Sequence, residues 1–125
     1  ADTVVIVDGE VLGKPHTYSE ACEMLARLAG RTHHVMTGVA LTTTTSQRVF
    51  VSVTEVDFAP LTTAEIEHYV AIHHPLDKAG AYGIQEWIGY VGVTGLRGSY
   101  FNVMGLPVQR LYTELKSFFN NDEKS

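Results

Sequence analysis

Two long segments rich in threonine and valine, residues 33–45 (HHVMTGVALTTTT) and 47–58 (QRVFVSVTEVDF), constrain the fold of this chain more than any other feature. β-Branched and aromatic residues favour strands, and apolar residues alternate in the second segment through Val49, Val51 and Val53. The two segments follow each other closely. We therefore expect a long antiparallel pair of strands that turns around residues 44–47.

A third strand is predicted near the start of the chain. Residues 3–7, TVVIV, form a β-branched apolar run without alternation, which is typical of a strand buried on both faces of an α/β sheet. Asp8 and Gly9 then form a strong two-residue hairpin signal, so Val11 and Leu12 should pair back onto this strand. Residues 86–93 and 99–103 also look like strands, and their aromatic side chains are expected in the core: Trp87, Tyr90, Tyr100 and Phe101.

Three segments predict helices. Apolar residues recur at helical spacing from Tyr18 to Ala29, with Thr17 or Ser19 as N-cap and Gly30 as C-cap. Thr62 and Glu65 have the spacing of a capping box and open a helix that runs to about Ile72. Pro107 starts a last helix whose inward side chains are expected to be Val108, Leu111, Leu115 and Phe118 or Phe119. This mixture predicts one α/β domain over residues 1–125, with a mixed, twisted sheet flanked by helices.

Composition excludes several classes of function. The 125 residues are 45% hydrophobic, which suffices for a buried core, and carry a formal net charge of −5. That charge argues against a nucleic-acid partner held through phosphate neutralisation. No run approaches the length of a membrane span, so no membrane association is expected. Cys22 is the only cysteine, so an internal disulfide is impossible and a reducing cytoplasm fits best.

Several polar residues are candidates for chemistry. Asp2 stands at the mouth of the first strand, where α/β folds place carboxylates that hold a metal or orient a water, and Thr3 offers a hydroxyl beside it. Lys14 lies between Gly13 and Pro15 but lacks the spacing of a Walker loop, and a solvated loop lysine is the simpler interpretation of it alone.

The segment 76–85, LDKAGAYGIQ, is poor in side chains around Lys78. Small residues let phosphate oxygens approach backbone N–H groups while an ammonium supplies a point charge, so this bend is interpreted as a phosphate-binding segment. Tyr82, within it, is a candidate to flank a base. The central expectation is that this bend and Asp2 converge on one pocket.

Five stretches, taken together and in order, resemble the Maf family of nucleotide pyrophosphatases. They are residues 1–5 (ADTVV), 9–15 (GEVLGKP), 28–41 (LAGRTHHVMTGVAL), 77–85 (DKAGAYGIQ) and 98–115 (GSYFNVMGLPVQRLYTEL). Residues 77–85 resemble the branch that acts on dTTP and UTP, not the branch that acts on 7-methylguanosine triphosphate. The resemblance implies a Maf/inosine-triphosphatase-like fold.

The resemblance also implies an activity, which is hydrolysis between the α and β phosphates with a divalent cation, Mg²⁺ or Mn²⁺. The family's catalytic acid matches Asp2, which is also the expected metal ligand. Its phosphate-binding lysines match Lys14 and Lys78, and the positions associated with pyrimidine choice match Thr3 and Gln85. An amide such as Gln85 can read the O4 and N3–H edge of a uracil-type base. A nucleoside triphosphate is thus the expected partner, and a homodimer the implied assembly.

The chain departs from the family pattern at its beginning. The family carries a Ser-x-x-Arg phosphate loop upstream of the aspartate that matches Asp2, and these 125 residues do not include it. We therefore expect a partial domain that lacks the family's first strand and helix, that folds poorly alone and that is nearly inactive without the rest of the protein.

Alternatives to a dTTP/UTP pyrophosphatase remain open. One is a non-catalytic, nucleotide-sensing regulator of septum formation and cell division, a role attached to the family. A more distant one is a phosphomonoesterase, which would release orthophosphate directly. The set of Asp2, Lys14, Lys78 and Gln85 favours the pyrophosphatase.

Overall fold

The computed structural model describes residues 2–105 and 107–124, and the side chains through residue 118. Its strands are β1 (Asp2–Val7), β2 (Glu10–Leu12), β3 (Thr32–Thr42), β4 (Gln47–Phe58) and β5 (Val93–Arg97). Its helices are α1 (Tyr18–Leu28), α2 (Thr63–His73), α3 (Trp87–Gly92), α4 (Tyr100–Val103) and α5 (Val108–Lys124). Two single turns of 3-10 helix, Pro75–Asp77 and Ala79–Ala81, lie between α2 and α3.

The five strands form one sheet in the order β2-β1-β3-β4-β5, and each of these pairings is antiparallel. Helices flank the sheet, and α1 and α2 pack onto its buried face through residues such as Leu25, Leu28 and Tyr69. The predicted α/β class, a sheet flanked by helices, is confirmed. Among the described residues, no helix is both long enough and apolar enough to cross a membrane.

The long antiparallel pair predicted for the centre of the sheet is confirmed. β3 and β4 pair without interruption from Thr32 opposite Asp57 to Thr42 opposite Gln47. The alternation in β4 is also real, but Val49, Val51 and Val53 face outward. Val49 is 64% exposed, whereas Phe50, on the opposite face, is 5% exposed.

The hairpin after β1 is confirmed, because Asp8 and Gly9 both have positive φ (50° and 76°) and Val7 pairs with Glu10. The expectation that β1 is buried on both faces is wrong. Val5 and Val7 face the core and are 1% exposed, but Val4 and Ile6, which alternate with them, are only half-buried. The helices α1 and α2 cover one face of this part of the sheet, which explains the difference.

The first two predicted helices are confirmed together with their N-caps, whereas the C-cap of α1 is Ala29 and not the predicted Gly30. At the start of α1, the Thr17 side chain accepts a hydrogen bond from the N–H of Glu20, so Thr17 and not Ser19 is the N-cap. The helix ends at Leu28, and Gly30 follows it with a φ of 70°. At α2, Thr62 and Glu65 form both bonds of the capping box.

The last predicted helix, α5, begins directly after Pro107. Leu111 and Leu115 are half-buried and Phe118 is buried, as expected. Val108 is 47% exposed, so its predicted inward position is wrong. The side chain of Phe119 lies outside the described residues.

The strands predicted at residues 86–93 and 99–103 are wrong, since these segments contain α3 and α4. β4 pairs instead with residues 93–97, so the residues on either side of β5 turn into short helices. Ser99 caps α4 by accepting a hydrogen bond from the N–H of Asn102 at 3.2 Å. The aromatic residues predicted in the core lie outside it, with Trp87 38%, Tyr90 82%, Tyr100 42% and Phe101 53% exposed.

Candidate active site

A cavity of about 300 Å³ opens where the start of β1 faces the two 3-10 turns and the residues that follow α4. Its size is at the lower end of that of small-molecule sites. The lining residues are Asp2, Thr3, Val5, Lys14, Val35, Asp77, Lys78, Ala79, Tyr82, Gly83, Gln85, Val103, Met104 and Gly105. Most of them come from β1 and from the segment 77–85, so a strand and a loop form its two main walls.

All five residues that the sequence singles out border this one cavity. Asp2 and Thr3 begin β1, Lys14 follows β2, and Lys78 and Gln85 lie in the loop between α2 and α3. The expectation that Asp2 and the side-chain-poor bend converge on one pocket therefore agrees with the geometry. The roles of the individual residues stay predictions.

The cavity combines two cationic and two acidic side chains. Lys14 and Lys78 supply the ammonium groups, and Asp2 and Asp77 the carboxylates. The Nζ of Lys78 lies 3.4 Å from Oδ1 of Asp77, an exposed pair that leaves the ammonium accessible to an anionic ligand. Phosphate oxygens can therefore meet positive charge here although the chain as a whole is acidic.

The structure gives a reason other than phosphate approach for the small residues of the bend. Gly80 has a φ of 71°, and a Cβ added there would lie 2.8 Å from Cγ2 of Val5. Its N–H donates to the carbonyl oxygen of Gly13 at 3.1 Å, so this residue packs directly on β1 and the segment after β2. Ala81, also fully buried, has a φ of 66°. At Gly80, packing against β1 therefore leaves no room for a side chain.

Tyr82 is anchored in the core behind the cavity. It is 6% exposed, and its hydroxyl lies 2.7 Å from Nε2 of His33, with which it shares a hydrogen bond. Its ring packs edge-on against His33 and Phe58. Burial lowers the pKa of His33 to about 4, so that imidazole is neutral at pH 7. Tyr82 borders the cavity with its buried ring, and its hydroxyl points to His33 instead of to a ligand.

A buried polar chain lies behind Thr3. Its hydroxyl is 2.9 Å from the hydroxyl of Thr37, which is fully buried on β3. Thr37 in turn donates a weak bond of 3.4 Å to the carbonyl oxygen of Asn102. The Asn102 amide donates to the carbonyl oxygen of Val35 and to the hydroxyl of Thr54, at 3.1 and 2.9 Å. Sequence reasoning missed Thr37 and Asn102; a threonine at an inward position of β3 was the available signal.

A divalent cation would find few protein ligands in this cavity. Among the described residues, no group of three or more His, Cys, Asp or Glu side chains is arranged to hold a metal ion. The carboxylates available are Asp2 and Asp77. One or two carboxylates plus substrate phosphates and waters is the set that Mg²⁺ commonly uses, so these residues fit an ion that binds together with a phosphate ligand.

Comparison with known proteins relates the chain to one family. The family model for Maf-like proteins matches residues 1–118. The chain is 63% identical over 116 residues to a dTTP/UTP pyrophosphatase of Phocaeicola vulgatus and 55% identical over 116 residues to one of Bacteroides thetaiotaomicron; each match covers 93% of this chain and 60% of the relative. A dTTP/UTP pyrophosphatase of Porphyromonas gingivalis is 54% identical over 118 residues, covering 94% of this chain and 59% of the relative. The chain thus spans about 60% of the length of these relatives.

Proposed function

Because the chain belongs to the Maf family, we propose that it supplies most of the active site of a pyrophosphatase that hydrolyses dTTP and UTP to the nucleoside monophosphate and pyrophosphate. The observation that carries the proposal is the arrangement of Asp2, Thr3, Lys14, Lys78 and Gln85 around one cavity. An acid, two cations and two hydrogen-bonding side chains match the needs of phosphoanhydride hydrolysis with base recognition.

Asp2 is the proposed general base. It is exposed at the edge of the cavity, so a water can lie between its carboxylate and the α-phosphorus of a bound nucleotide. The carboxylate would orient that water and accept its proton as the oxygen attacks. Pyrophosphate leaves with the electrons of the broken P–O bond.

Lys14 and Lys78 are the proposed phosphate ligands. Their ammonium groups reach the cavity from two different segments, one after β2 and one between the 3-10 turns. Two point charges on either side of the polyphosphate would offset the charge that develops on the leaving pyrophosphate.

Thr3 and Gln85 are the proposed determinants of specificity for the pyrimidine base. Gln85 is exposed in the loop wall and Thr3 is half-buried in the strand wall. The amide of Gln85 can donate to O4 and accept from N3–H of thymine or uracil. Cytosine presents the reverse pattern, so the site rejects cytosine only if the amide of Gln85 is held in one orientation.

We also propose a divalent cation, Mg²⁺ or Mn²⁺, held by Asp2 with Asp77 within reach of the same cavity. When bound, it would offset negative charge on the triphosphate. A cytoplasmic location is part of the proposal and is supported by the single cysteine, which suits a reducing compartment. The proposed ligand is a free nucleotide and not a nucleic acid, in keeping with the net charge of −5.

A substrate panel tests the proposal. The complete gene product that carries this chain is incubated with dTTP, UTP, dCTP and dATP, and phosphate is measured with and without added inorganic pyrophosphatase. We expect phosphate from dTTP and UTP only when the coupling enzyme is present. Phosphate without it would indicate a phosphomonoesterase. Tight binding of dTTP without turnover would indicate a nucleotide-sensing regulator, and either result would overturn the proposal.

A further inference from the structure

Three polar side chains outside the cavity meet behind its loop wall. Tyr69 and His73 lie one turn apart on α2, and Glu86 precedes α3. The hydroxyl of Tyr69 donates to Oε1 of Glu86 at 2.8 Å, and Nδ1 of His73 lies 2.6 Å from Oε2 of the same carboxylate. Both carboxylate oxygens of Glu86 are therefore engaged by α2.

This cluster also holds the backbone of the loop wall. The N–H of Gly83 donates to the hydroxyl of Tyr69 at 3.0 Å, and the N–H of Glu86 donates to the carbonyl oxygen of Gly83 at 3.0 Å. Hydrogen bonds thus hold both ends of the turn from Gly83 to Glu86. Gln85, the proposed base-reading residue, lies inside this turn.

The hydroxyl of Tyr69 is the acceptor in one of these hydrogen bonds and the donor in the other. Because the hydroxyl of Tyr69 accepts from Gly83, its single proton is available for Glu86. Burial raises the pKa of Tyr69 well above its ordinary value, so the hydroxyl remains a donor at neutral pH. Tyr69 itself is 1% exposed, which leaves it no alternative partner in solvent.

The same cluster lies close to the side chain of Lys78. A Cβ added to Gly83 would lie 2.9 Å from Cε of Lys78 and would collide with Oε1 of Glu86. The stem of Lys78 and the carboxylate of Glu86 therefore both pack against the same side of Gly83.

We propose that Tyr69, Glu86 and His73 are positioning residues that hold the turn 83–86, so that Gln85 meets the base and Lys78 meets the phosphates of a pyrimidine nucleotide. This proposal rests on the proposed function, because it assigns these residues to the same nucleotide site. None of the three borders the cavity itself. They act through the backbone of Gly83 and through the orientation of Gln85.

Variants of these residues are expected to lose discrimination between dTTP and dCTP more than they lose catalytic rate on dTTP. In Tyr69→Phe the ring remains, but the Gly83 N–H and the Glu86 carboxylate each lose a partner. We expect kcat for dTTP to stay within about threefold and the ratio of kcat/KM for dTTP over dCTP to fall about tenfold. Glu86→Ala should lower that ratio by a similar factor, and the double variant by little more than either single one.

Two variants serve as controls. Tyr18→Phe removes a hydroxyl that also bonds to α2, since Tyr18 donates to the carbonyl oxygen of Glu67 at 2.9 Å, but it lies away from the cavity and should leave the ratio unchanged. Glu86→Gln keeps an oxygen that can accept from Tyr69, so it should retain most of the discrimination.

The experiment measures kcat and KM for dTTP and dCTP, together with amide hydrogen exchange of residues 83–86, in the complete gene product and its variants. Support requires both a lower ratio and faster exchange in Tyr69→Phe and Glu86→Ala, with neither in Tyr18→Phe. A lower melting temperature with an unchanged ratio, or unchanged exchange, would overturn the inference. If the wild-type protein hydrolyses none of the nucleotides, the proposed function fails, and the exchange data still decide whether the three residues hold the turn.

Discussion

The two walls of the cavity are built by different means. In the strand wall, Asp2 and Thr3 pair with Gly38 and Thr37 through the backbone of β1 and β3. In the loop wall, residues 77–85 contain one single helical turn, Ala79–Ala81, and are held by packing and by side chains from other elements. The difference teaches that a functional residue on the strand wall can be replaced with little effect on the fold. The loop wall depends instead on side chains of other elements, of which His33 and Tyr69 do not border the cavity.

The side-chain supports of the loop wall come from three directions. Val5 of β1 contacts the Cα side of Gly80, His33 of β3 bonds to Tyr82, and Tyr69 of α2 bonds to the N–H of Gly83. Each support joins a residue of the loop to a different element. Changes at these positions should therefore combine lower stability with weaker binding, and changes at Asp2 should separate the two.

The largest effect is expected at Asp2. Asp2→Asn removes the proposed base without changing the size of an exposed side chain, so kcat for dTTP should fall by a factor of about 10²–10⁴ while the melting temperature stays unchanged. Steady-state kinetics and thermal unfolding of the complete gene product measure both. Asp8→Asn, at the other end of β1, is the control and should keep full activity. Full turnover by Asp2→Asn would remove this residue from the mechanism.

Gly80→Ala should have the next largest effect, on stability. The new methyl group would meet Val5 at 2.8 Å, and alanine is strained at a φ of 71°. We expect the free energy of unfolding to fall by about 3 kcal/mol, from strain and overpacking together. Chemical denaturation measures this loss.

Gly13→Ala is the matched control for Gly80→Ala. Gly13 provides the carbonyl oxygen for the Gly80 N–H, but a Cβ added at Gly13 meets nothing within 4 Å. Its effect should stay below about 1 kcal/mol. Equal losses in the two variants would show that the loop wall does not depend on close packing against β1.

Acid should weaken the loop wall through His33. The pKa of this imidazole is about 4 in the folded protein, below its ordinary value of 6.5, because burial disfavours the charged form. The unfolded chain therefore takes up a proton as the pH falls below 6.5, and the folded protein does so only near pH 4. Stability is complete above pH 6.5 and is lost toward pH 4, by about 2 kcal/mol between pH 7 and pH 5.

The contribution of His33 can be isolated by comparing variants. His33→Gln keeps a hydrogen-bonding group near Tyr82 but does not titrate, so its stability should fall less than that of the wild-type protein between pH 7 and pH 5. His16→Gln, at an exposed position, should keep the wild-type slope. Identical slopes in the wild-type protein and His33→Gln would contradict the assignment. Denaturant unfolding at several pH values gives these slopes.

The strand wall could largely be predicted from the sequence, and the loop wall could not. β1, its Asp8–Gly9 turn and the β3–β4 pair follow from local patterns of β-branched residues and turn residues, which the structure satisfies through backbone pairing. The supports of the loop wall are contacts between residues far apart in the chain, such as His33 with Tyr82. No local pattern encodes the partner of a buried histidine.

The two wrong strand predictions have different physical causes. Residues 86–93 are rich in aromatic and β-branched residues, as strands are. A Cβ at Gly89 would collide with the carbonyl oxygen of Ile84, so this segment is folded back on the turn before it. Residues 93–97, which follow this segment, pair with β4 as β5. For α4, a local signal did exist, since Ser99 and Asn102 have the spacing of an N-cap and its third helical residue. The residues after this cap have strand propensity, but they form the helix that the cap begins.

The smallest effect is expected at Thr37, whose side chain supports Thr3 of the strand wall. Thr37→Val keeps the shape of the residue but removes the hydroxyl that lies 2.9 Å from the hydroxyl of Thr3. Because backbone pairing still places Thr3, we expect kcat/KM for dTTP to fall only about fivefold, which corresponds to the loss of one hydrogen bond of about 1 kcal/mol.

Thr37→Ser is the matched variant, because it retains a hydroxyl and should keep most of the activity. Kinetics on dTTP and dCTP, with thermal unfolding of both variants, separate a change in the orientation of Thr3 from a general loss of structure. If Thr37→Val lowered kcat/KM as much as Tyr69→Phe or destabilised the fold as much as Gly80→Ala, the strand wall would depend on side chains as heavily as the loop wall does. The distinction between the two walls would then fail, since backbone pairing with β3 would not by itself hold Thr3 in place.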